Sequence, residues 1–578
     1  MASQKIENVL NLSLDATPNE REESNVLGIG YDRSENTWEV IIKYNGDILR
    51  YQSEDIRIEP LIAGYAIVTI KEVLLEAFTA LSEVEYVEKP KRLYFATQQG
   101  ILNSCIAEVT QSEPYLTGNG ILIAVIDSGI DFYNEKFRDR NNNSRIVALW
   151  DQTVMPDGAR GESSPNGFFV GTEYNTSRIN EALRLGSREE AQQLVRSRDV
   201  SGHGTAVAGI AADVAAESRF IIVKLGRPEP DSFPRTTEMM RALKYVVEKA
   251  VFYNQPVAIN VSFGNSYGSH DGSSLLERYM DNIAEIGRNV VCVGSGNEGS
   301  SAGHYYGRLS EGERTEIEVA VAPYERGINI QLWKNYGDDF RITLISPSMQ
   351  SYPIPFRQSG TIQTRLDRTR VLIYVGEPTP YSVEQEIFFD FIPDDTYVTS
   401  GVWKIGIDAA AVTDGRFDLY LPSQEARNMG TSFFSPTPDV TLTIPSTSSR
   451  VITVGAYSVV GDSYADFSGR GYVTTLGQEQ IFDVKPDIVA PGVGIQVTTP
   501  LGSETVVSGT SFATPFVTGG AALLMEWGIV RGNDAFLYGE KLKAYLQKGA
   551  RPLRGESVYP NERVGWGALC VADSIPGR

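Results

Sequence analysis

The sequence is poor in the residues that usually build disulfide frameworks and metal centres. It has three cysteines and three histidines in 578 residues. Three cysteines are too few for a disulfide framework, and their spacing matches no zinc motif. Cys105, Cys292 and Cys570 are therefore interpreted as small, buried hydrophobic residues. A reducing compartment fits this count, although low cysteine usage also occurs in secreted bacterial enzymes.

Long apolar runs and basic clusters are also missing. No stretch approaches the roughly 18 apolar residues of a membrane span. The first 25 residues lack the basic and apolar segments of a signal peptide, so we expect synthesis without classical secretion. A net charge of −21 argues against a nucleic-acid partner, because phosphate binding needs basic patches. The hydrophobic fraction of 42% is ordinary for a globular protein with a sizeable core.

The N-terminal region, residues 1–96, has the pattern of a small α+β domain. Alternating or apolar segments predict strands at 37–46, 64–70 and 84–90, and a helical apolar stripe predicts a helix at 71–84. The stretch 91–100 is interpreted as a linker to the next domain.

Residues 97–309 and 446–578 alternate between buried strands and amphipathic helices. Continuous apolar runs such as 121–126 and 257–263 are typical of strands buried on both faces. Helical patterns separate them, the clearest at 236–253. This alternation predicts an α/β domain, a parallel sheet with helices on both faces.

Residues 310–445 follow a different pattern. Short alternating segments succeed one another with almost no helical period. This predicts an all-β insertion, a sandwich or jelly roll, inside the α/β domain.

Three segments carry reactive side chains surrounded by glycine and other small residues. Asp127 follows a buried strand, whereas His203 and Ser511 each open a predicted helix. A serine hydroxyl needs a base to become a nucleophile, and histidine has a suitable pKa. A buried carboxylate can then fix the imidazole tautomer. Small neighbours let a substrate backbone approach closely.

The order Asp–His–Ser in these surroundings resembles the subtilisin family of serine endopeptidases. The matching segments, in chain order, are 127–131, 203–209, 258–264, 293–299, 485–492, 509–515 and 564–575. The resemblance implies a subtilisin-like fold in which Asp127, His203 and Ser511 form the catalytic triad.

The same resemblance implies the residues around the triad. Asn297 would supply the oxyanion hole. The segments expected to bind substrate beside the S1 pocket are Ser262, Phe263 and Gly264 on one side and Gly294, Ser295 and Gly296 on the other. No cofactor or metal is assigned. Calcium stays open, because the sequence departs from the family pattern in its loops and shows no EF-hand spacing.

The N-terminal region resembles the family's inhibitory pro-domain, which folds the protease and then occupies its cleft. This implies self-cleavage within 91–100; a cut after Ala96 would put Leu93 four residues before the bond. The layout is similar, more narrowly, to the clostridial germination proteases, the Csp group. They cleave the pro-form of a spore-cortex hydrolase and carry a jelly-roll insertion. A protein substrate and a cytoplasmic or spore-associated location would follow.

Two rival functions stay open from the sequence. One is a general intracellular or peptide-processing subtilase with no role in spores. The other is a binding scaffold silenced by its own pro-domain. Among the remaining polar residues, His270 and His304 are interpreted as surface or rim residues, Glu298 as a loop acid and Asp131 as structural.

Overall fold

The computed structural model describes residues 30–60, 64–88, 96–227, 234–355, 359–476 and 480–577, with seven single positions before residue 30. The chain forms two compact units, 1–94 and 95–578. The second unit contains both a parallel sheet and an antiparallel β-sandwich.

The N-terminal unit is a five-stranded antiparallel sheet with one described helix. Its elements are β1 (Tyr31–Asp32), β2 (Thr37–Tyr44), β3 (Ile56–Pro60), β4 (Tyr65–Lys71), α1 (Glu72–Thr79) and β5 (Val84–Glu88). Strand β2 pairs with β1, β4 and β5, and its alternate residues Trp38, Val40 and Ile42 are buried. The three strands and the helix predicted here are confirmed, with slightly different ends, and residues 89 and 90 lie outside the described residues.

The linker predicted at 91–100 is wrong for its second half. Residues 91–95 lie outside the described residues, but a helix α2 (Ala96–Asn103) begins at the next residue. A Cβ placed on Gly100 would lie 2.6 Å from the Phe516 ring, so the helix backbone packs directly on that side chain. The stretch was interpreted as a linker because this packing partner is distant in the chain.

The first half of the second unit alternates strands and helices. Its elements are α3 (Ala107–Thr110), β6 (Leu122–Asp127), β7 (Ile146–Asp151), β8 (Thr172–Asn175), α4 (Thr176–Leu183), α5 (Arg188–Leu194), α6 (His203–Val214), β9 (Arg219–Lys224), α7 (Thr236–Tyr253), β10 (Val257–Val261), α8 (Leu275–Ala284) and β11 (Asn289–Gly294). The helix predicted at 236–253 is confirmed at both ends.

Antiparallel strands follow without a described α-helix between them. They are β12 (His304–Arg308), β13 (Arg314–Val321), β14 (Ile328–Asn335), β15 (Asp339–Ile345), β16 (Ser351–Pro353), β17 (Gly360–Leu366), β18 (Thr369–Val375), β19 (Glu384–Pro393), β20 (Gly401–Ala411), β21 (Arg416–Tyr420) and β22 (Ser432–Phe433). They form one sheet in the order β12-β21-β14-β19-β18-β17 and another in the order β16-β15-β20-β13-β22.

The two sheets pack face to face as a sandwich with its own core. Ile330 and Phe389 come from the six-stranded sheet, and Ile342 and Ile405 from the five-stranded sheet. Their strands alternate between buried and more exposed residues, as expected for sheets with one buried face. The all-β character of this region is therefore observed, and its jelly-roll connectivity stays a prediction.

The last part of the chain returns to the central sheet. Its elements are β23 (Ile452–Ser458), β24 (Ser463–Tyr464), β25 (Tyr472–Leu476), β26 (Gln480–Lys485), β27 (Ile488–Pro491), β28 (Ile495–Thr498), β29 (Glu504–Val507), α9 (Thr510–Met525) and α10 (Gly539–Lys548), with a π-helical turn at Glu526–Val530. Short 3-10 turns lie at Leu49–Tyr51, Glu135–Phe137, Gly158–Arg160 and Gln424–Ala426.

The central sheet runs in the order β24-β23-β11-β10-β6-β9-β7-β8, with β27 beside β23. Its inner strands are parallel, and only the edge strands β8 and β24 are antiparallel. Ile123 and Val125 of β6 pack with α6 and α9, whereas Leu122 and Ile126 pack with α7 and α8. Helices therefore cover both faces, as predicted.

By length and composition alone, helix α9 with its π-helical turn could span a membrane. However, 83% of its most apolar 18-residue stretch is buried inside the protein. Such burial is typical of a core helix, because the protein interior already surrounds its apolar side chains.

The cysteine interpretation is wrong for two of the three residues. Cys105 and Cys570 form a disulfide across 465 residues of sequence, whereas Cys292 is free and buried. The bond joins the segment after α2 to the C-terminal segment, where the Val571 N–H also donates to the Ser104 carbonyl at 2.9 Å. Counting cysteines could not reveal a pair that only the fold brings together.

Candidate functional site

The carboxyl end of β6 and the start of α6 bring the first two predicted site residues together. Asp127 ends β6 and is fully buried, and His203 begins α6. The His203 Nδ1 lies 2.7 Å from the Asp127 Oδ1, which also accepts the Ser128 N–H at 2.7 Å. A carboxylate in this position holds the imidazole with its Nε2 free to act as a base.

The pKa of His203 is raised above its usual 6.5. Burial by itself would lower this pKa, but the charge of Asp127, the hydrogen bond to it and the charge of Asp199 outweigh burial. Each of these interactions stabilises the imidazolium that forms when the ring takes a proton.

Asp199, which the sequence reasoning missed, links the end of β6 to the start of α6 through hydrogen bonds. Its Oδ1 accepts hydrogen bonds from the Ser128 hydroxyl at 2.8 Å and the Gly202 N–H at 3.0 Å. Its Oδ2 accepts from the N–H and hydroxyl of Thr205, at 2.8 and 2.7 Å. The Ser128 hydroxyl also accepts the Gly204 N–H at 2.9 Å. One buried carboxylate thus fixes the start of α6 against the end of β6.

Ser511 lies in the first turn of α9, after Gly509, whose φ of 152° few other residues adopt. Its hydroxyl donates to the Ser262 carbonyl at 3.4 Å, and none of the hydrogen bonds in the described part of the chain joins it to His203. The adjacent Phe512 ring lies 5.3 Å from the His203 ring, centroid to centroid. The start of α9, which bears the nucleophile, therefore lies next to the base.

Asn297 is oriented for donation toward the reacting centre. Its Oδ1 accepts the N–H and the hydroxyl of Thr510, at 3.0 and 3.2 Å. Because a backbone N–H can only donate, the atom facing Thr510 must be the oxygen. The Nδ2 then points away from Thr510. Together with the Ser511 N–H in the first helical turn, it can donate to a developing oxyanion.

The segments predicted to bind substrate leave neighbouring strands at the same edge of the sheet. Ser262–Gly264 follow β10, and Gly294–Gly296 run from the end of β11. The Phe263 ring lies 6.2 Å from the His203 ring. Ser295 is an exception, because its side chain is fully buried and its hydroxyl lies 3.3 Å from that of Ser468. The Ser295 side chain therefore cannot line a substrate cleft.

The interpretation of His270 and His304 as surface or rim residues is wrong. They are 4% and 2% exposed, and their rings stack on opposite sides of Tyr420, with centroid distances of 3.9 and 4.5 Å. The His270 Nδ1 contacts the Leu442 carbonyl at 2.7 Å, and the His304 Nε2 contacts Asp418 at 2.8 Å. Burial, and then the charge of His304, lower the pKa of His270 to about 4.

Glu298 is also more than a loop acid. It is 7% exposed, and its Oε1 accepts the Gln424 N–H at 3.1 Å, so the segment carrying Asn297 is bound to the end of the sandwich. Asp131 is buried and pairs with Arg188, in keeping with the structural interpretation.

In the described ranges, no three His, Cys, Asp or Glu side chains are grouped in a way that could hold a metal ion. The chemistry described above uses a hydroxyl, an imidazole, a carboxylate and amide donors. This combination at one edge of a parallel sheet is the arrangement of a serine hydrolase.

Comparison with known proteins defines the family. The model of the subtilase family matches residues 118–342 and 426–567, and the model of the Csp protease B prodomain matches residues 4–91. The chain therefore belongs to the subtilase family of serine proteases and carries a Csp-type prodomain. The interval between the two subtilase stretches falls within the sandwich strands.

Solved and curated relatives agree with this family. The structure of the Clostridium perfringens CspB protease matches with a TM-score of 0.73 and 34% identity, covering 82% of this chain and 96% of that one. Serine protease AprX of Bacillus subtilis is 35% identical over 158 residues, which are 24% of this chain and 32% of AprX. Pyrolysin of Pyrococcus furiosus is 32% identical over 118 residues, 18% of this chain and 8% of pyrolysin. The matched stretches thus span about a third or less of these two curated relatives.

Proposed function

We propose that this serine protease cleaves protein substrates through Asp127, His203 and Ser511. The observation that carries the assignment is the 2.7 Å contact between His203 Nδ1 and Asp127, beside the first turn of the helix that bears Ser511. Because Asp127 binds the Nδ1–H, the Nε2 of the neutral His203 ring carries no proton and can take that of Ser511.

The reaction proceeds in two halves. The Ser511 oxygen attacks the scissile carbonyl, and His203 first takes the hydroxyl proton and then gives it to the leaving amine. The Asn297 Nδ2 and the Ser511 N–H hold the oxyanion of each tetrahedral intermediate. Water, deprotonated by His203, then hydrolyses the acyl-enzyme and restores the serine.

The first substrate in this proposal is the chain itself, cut within 91–100 to separate the prodomain from the protease. Support comes from the prodomain match at 4–91, which ends where this stretch begins. The later substrate is the pro-form of a spore-cortex hydrolase, as the resemblance to the Csp group implies. This role would put the protein in the cytoplasm or the spore.

Mass analysis of intact wild-type protein beside Ser511→Ala tests self-processing. We expect wild type to split between residues 91 and 100 and the variant to stay whole. If both stay whole, self-processing is wrong. If both are cut at the same bond, another protease made the cut.

The proposed later substrate needs its own assay. Processed wild type and Ser511→Ala are each mixed with the pro-form of a spore-cortex hydrolase, and the products are sized by mass spectrometry. One discrete cut made only by wild type supports the germination role. An intact pro-form, with casein degraded by the same preparation, would favour a general peptidase.

A further inference from the structure

The position of Ser511 determines where a substrate places the side chain of the residue that precedes the scissile bond. The Ser511 oxygen lies 3.4 Å from the Ser262 carbonyl, and Asn297 is fixed on the other side by Thr510. A carbonyl attacked by Ser511, with its oxygen toward Asn297, therefore lies between the segments that follow β10 and β11. The side chain of that residue, called P1, enters the gap between them.

Both walls of this gap carry a glycine, and one side chain occupies the space between the two glycines. A Cβ placed on Gly264 would lie 2.5 Å from the Thr443 Oγ1, and one on Gly296 would lie 2.5 Å from both the Oγ1 and the Cγ2 of Thr443. Thr443 thus occupies the space that a side chain at position 264 or at position 296 would need.

Thr443 is held in place by hydrogen bonds to both walls. Its N–H donates to the Ser295 carbonyl at 3.0 Å. The next residue, Ile444, exchanges two backbone hydrogen bonds with Asn265, at 2.8 and 3.0 Å. A backbone anchored to both walls cannot shift at low cost, so the threonine stays between the two glycines when a larger group approaches.

We infer that Thr443 is the floor of a shallow P1 pocket, which makes the protease selective for small P1 residues such as alanine or serine. None of the hydrogen bonds among the described residues uses the Thr443 hydroxyl, which leaves it able to contact a small polar P1 side chain. Aromatic and long aliphatic P1 groups would overlap the threonine. This inference rests on the proposed function, because it assumes attack by Ser511.

The pocket also narrows the predicted self-cleavage site. In the stretch 91–100, which reads KRLYFATQQG, the residues from 91 to 95 are all large and Ala96 is the first small one. A cut after Ala96 is therefore expected, in preference to a cut after Phe95 or Tyr94.

Peptides that differ only at P1 test the selectivity. Chromogenic tetrapeptides with alanine or phenylalanine at P1 are assayed with processed wild type, Thr443→Gly and Thr443→Val. We expect wild type to prefer alanine by more than ~10-fold in kcat/KM, Thr443→Gly to gain ~10-fold or more on phenylalanine, and Thr443→Val, which keeps the volume, to retain the wild-type preference.

The outcomes separate this inference from the proposed function. Equal or better cleavage of the phenylalanine peptide by wild type overturns the small pocket but leaves the peptidase intact. An unchanged preference in Thr443→Gly also overturns the role of Thr443. If wild type cleaves neither peptide better than Ser511→Ala does, both the proposed function and the inference are wrong.

A second measurement uses the chain itself, in case Thr443→Gly handles free peptides poorly. Ala96→Phe should block the cut after residue 96, and the double variant Ala96→Phe with Thr443→Gly should restore it, as measured by intact mass. Normal cutting after position 96 in the single variant Ala96→Phe, with Thr443 in place, would contradict the inference. Failure of Thr443→Gly to restore a blocked cut would contradict it as well.

Discussion

The central parallel sheet and the β-sandwich distribute their polar side chains differently. In the parallel sheet, β6 and β10 are buried along their whole length, and three polar residues of the site, Asp127, Ser262 and Asn297, lie at or beyond the carboxyl ends of β6, β10 and β11. In the sandwich, alternation puts polar side chains along one face, so Gln331 and Tyr420 become buried against the segment 265–271. The parallel sheet thus has its reactive groups at one edge. The sandwich packs against the segment 265–271, which follows β10 at that edge, and this contact is called the joint below.

The sharpest test of this contrast replaces one asparagine in each region. Asn297→Ala removes an oxyanion donor and should lower kcat about 10²–10³-fold with little change in KM. Asn329→Ala removes a sandwich side chain whose Nδ2 contacts the Tyr267 hydroxyl at 3.2 Å, and it should leave kcat unchanged. Steady-state kinetics on one peptide measures both. Equal losses would mean that the sandwich takes part in the chemistry.

A second test concerns the disulfide, which joins two segments outside the sandwich. Cys105→Ser should lower the free energy of unfolding by about 2–4 kcal/mol, because the reduced chain gains freedom when unfolded. Urea melts in the Ser511→Ala background avoid self-digestion. Reductant should lower the stability of the parent protein but not of Cys105→Ser. Three reactive thiols in unreduced, denatured parent protein, instead of the single Cys292, would contradict the bond.

A third test measures how the stability of the joint between sandwich and sheet depends on pH. The pKa of folded His270 is about 4, below the 6.5 of the unfolded chain, so the unfolded state binds the proton more readily between these values. The contribution of His270 to the free energy of unfolding should therefore be fully present above pH 6.5. It should fall as the pH drops toward 4, by about 2 kcal/mol at pH 5.

His270→Gln isolates this contribution from the other charged groups near the ring, which are Asp271, His304, Glu384 and Asp418 and are present in both proteins. Urea melts at pH 7, 6 and 5, again in the Ser511→Ala background, should show a shallower decline for the variant. Parallel declines would show that His270 does not control the acid sensitivity of the joint.

The smallest effect is expected for Asp199, beside the catalytic residues. Asp199→Asn should lower kcat/KM about tenfold, since the amide cannot accept every hydrogen bond that fixes α6. The charge of Asp199 raises the pKa of His203, so its removal should also move the acid limb of the pH profile to lower pH. The partly exposed Asp157, changed in the same way to asparagine, serves as the control. A fall in activity with an unmoved limb would indicate only a loosened fold.

Much of this molecule could be predicted from its sequence because its signals are local. Helix α7 shows a clear helical period, and strand β6 is a continuous apolar run that ends in Asp127. The triad residues stand in short glycine-rich motifs, whose spacing follows from the turns that present them. In each case the deciding interactions lie within a few residues along the chain.

The features that sequence reasoning missed depend on partners far away in the chain. The Cys105 partner is 465 residues distant, and the burial of His270 comes from Tyr420 on a sandwich strand. Helix α2 was missed because its packing partner, Phe516, belongs to the last third of the chain. Asp199 lies only four residues before His203, but an isolated acid in a polar loop carries no signal of its hydrogen-bond donors.

The disulfide also determines what happens when one copy of this protease cuts another. Residues 105 to 570 form a covalent ring that contains the triad and the whole sandwich. A single nick in any loop of that ring opens it but releases no fragment, so the damaged molecule stays in one piece and its packed core can hold the cut ends in place. Gels run without reductant would then count nicked molecules as intact, and only reduction would reveal how often the enzyme has been cut.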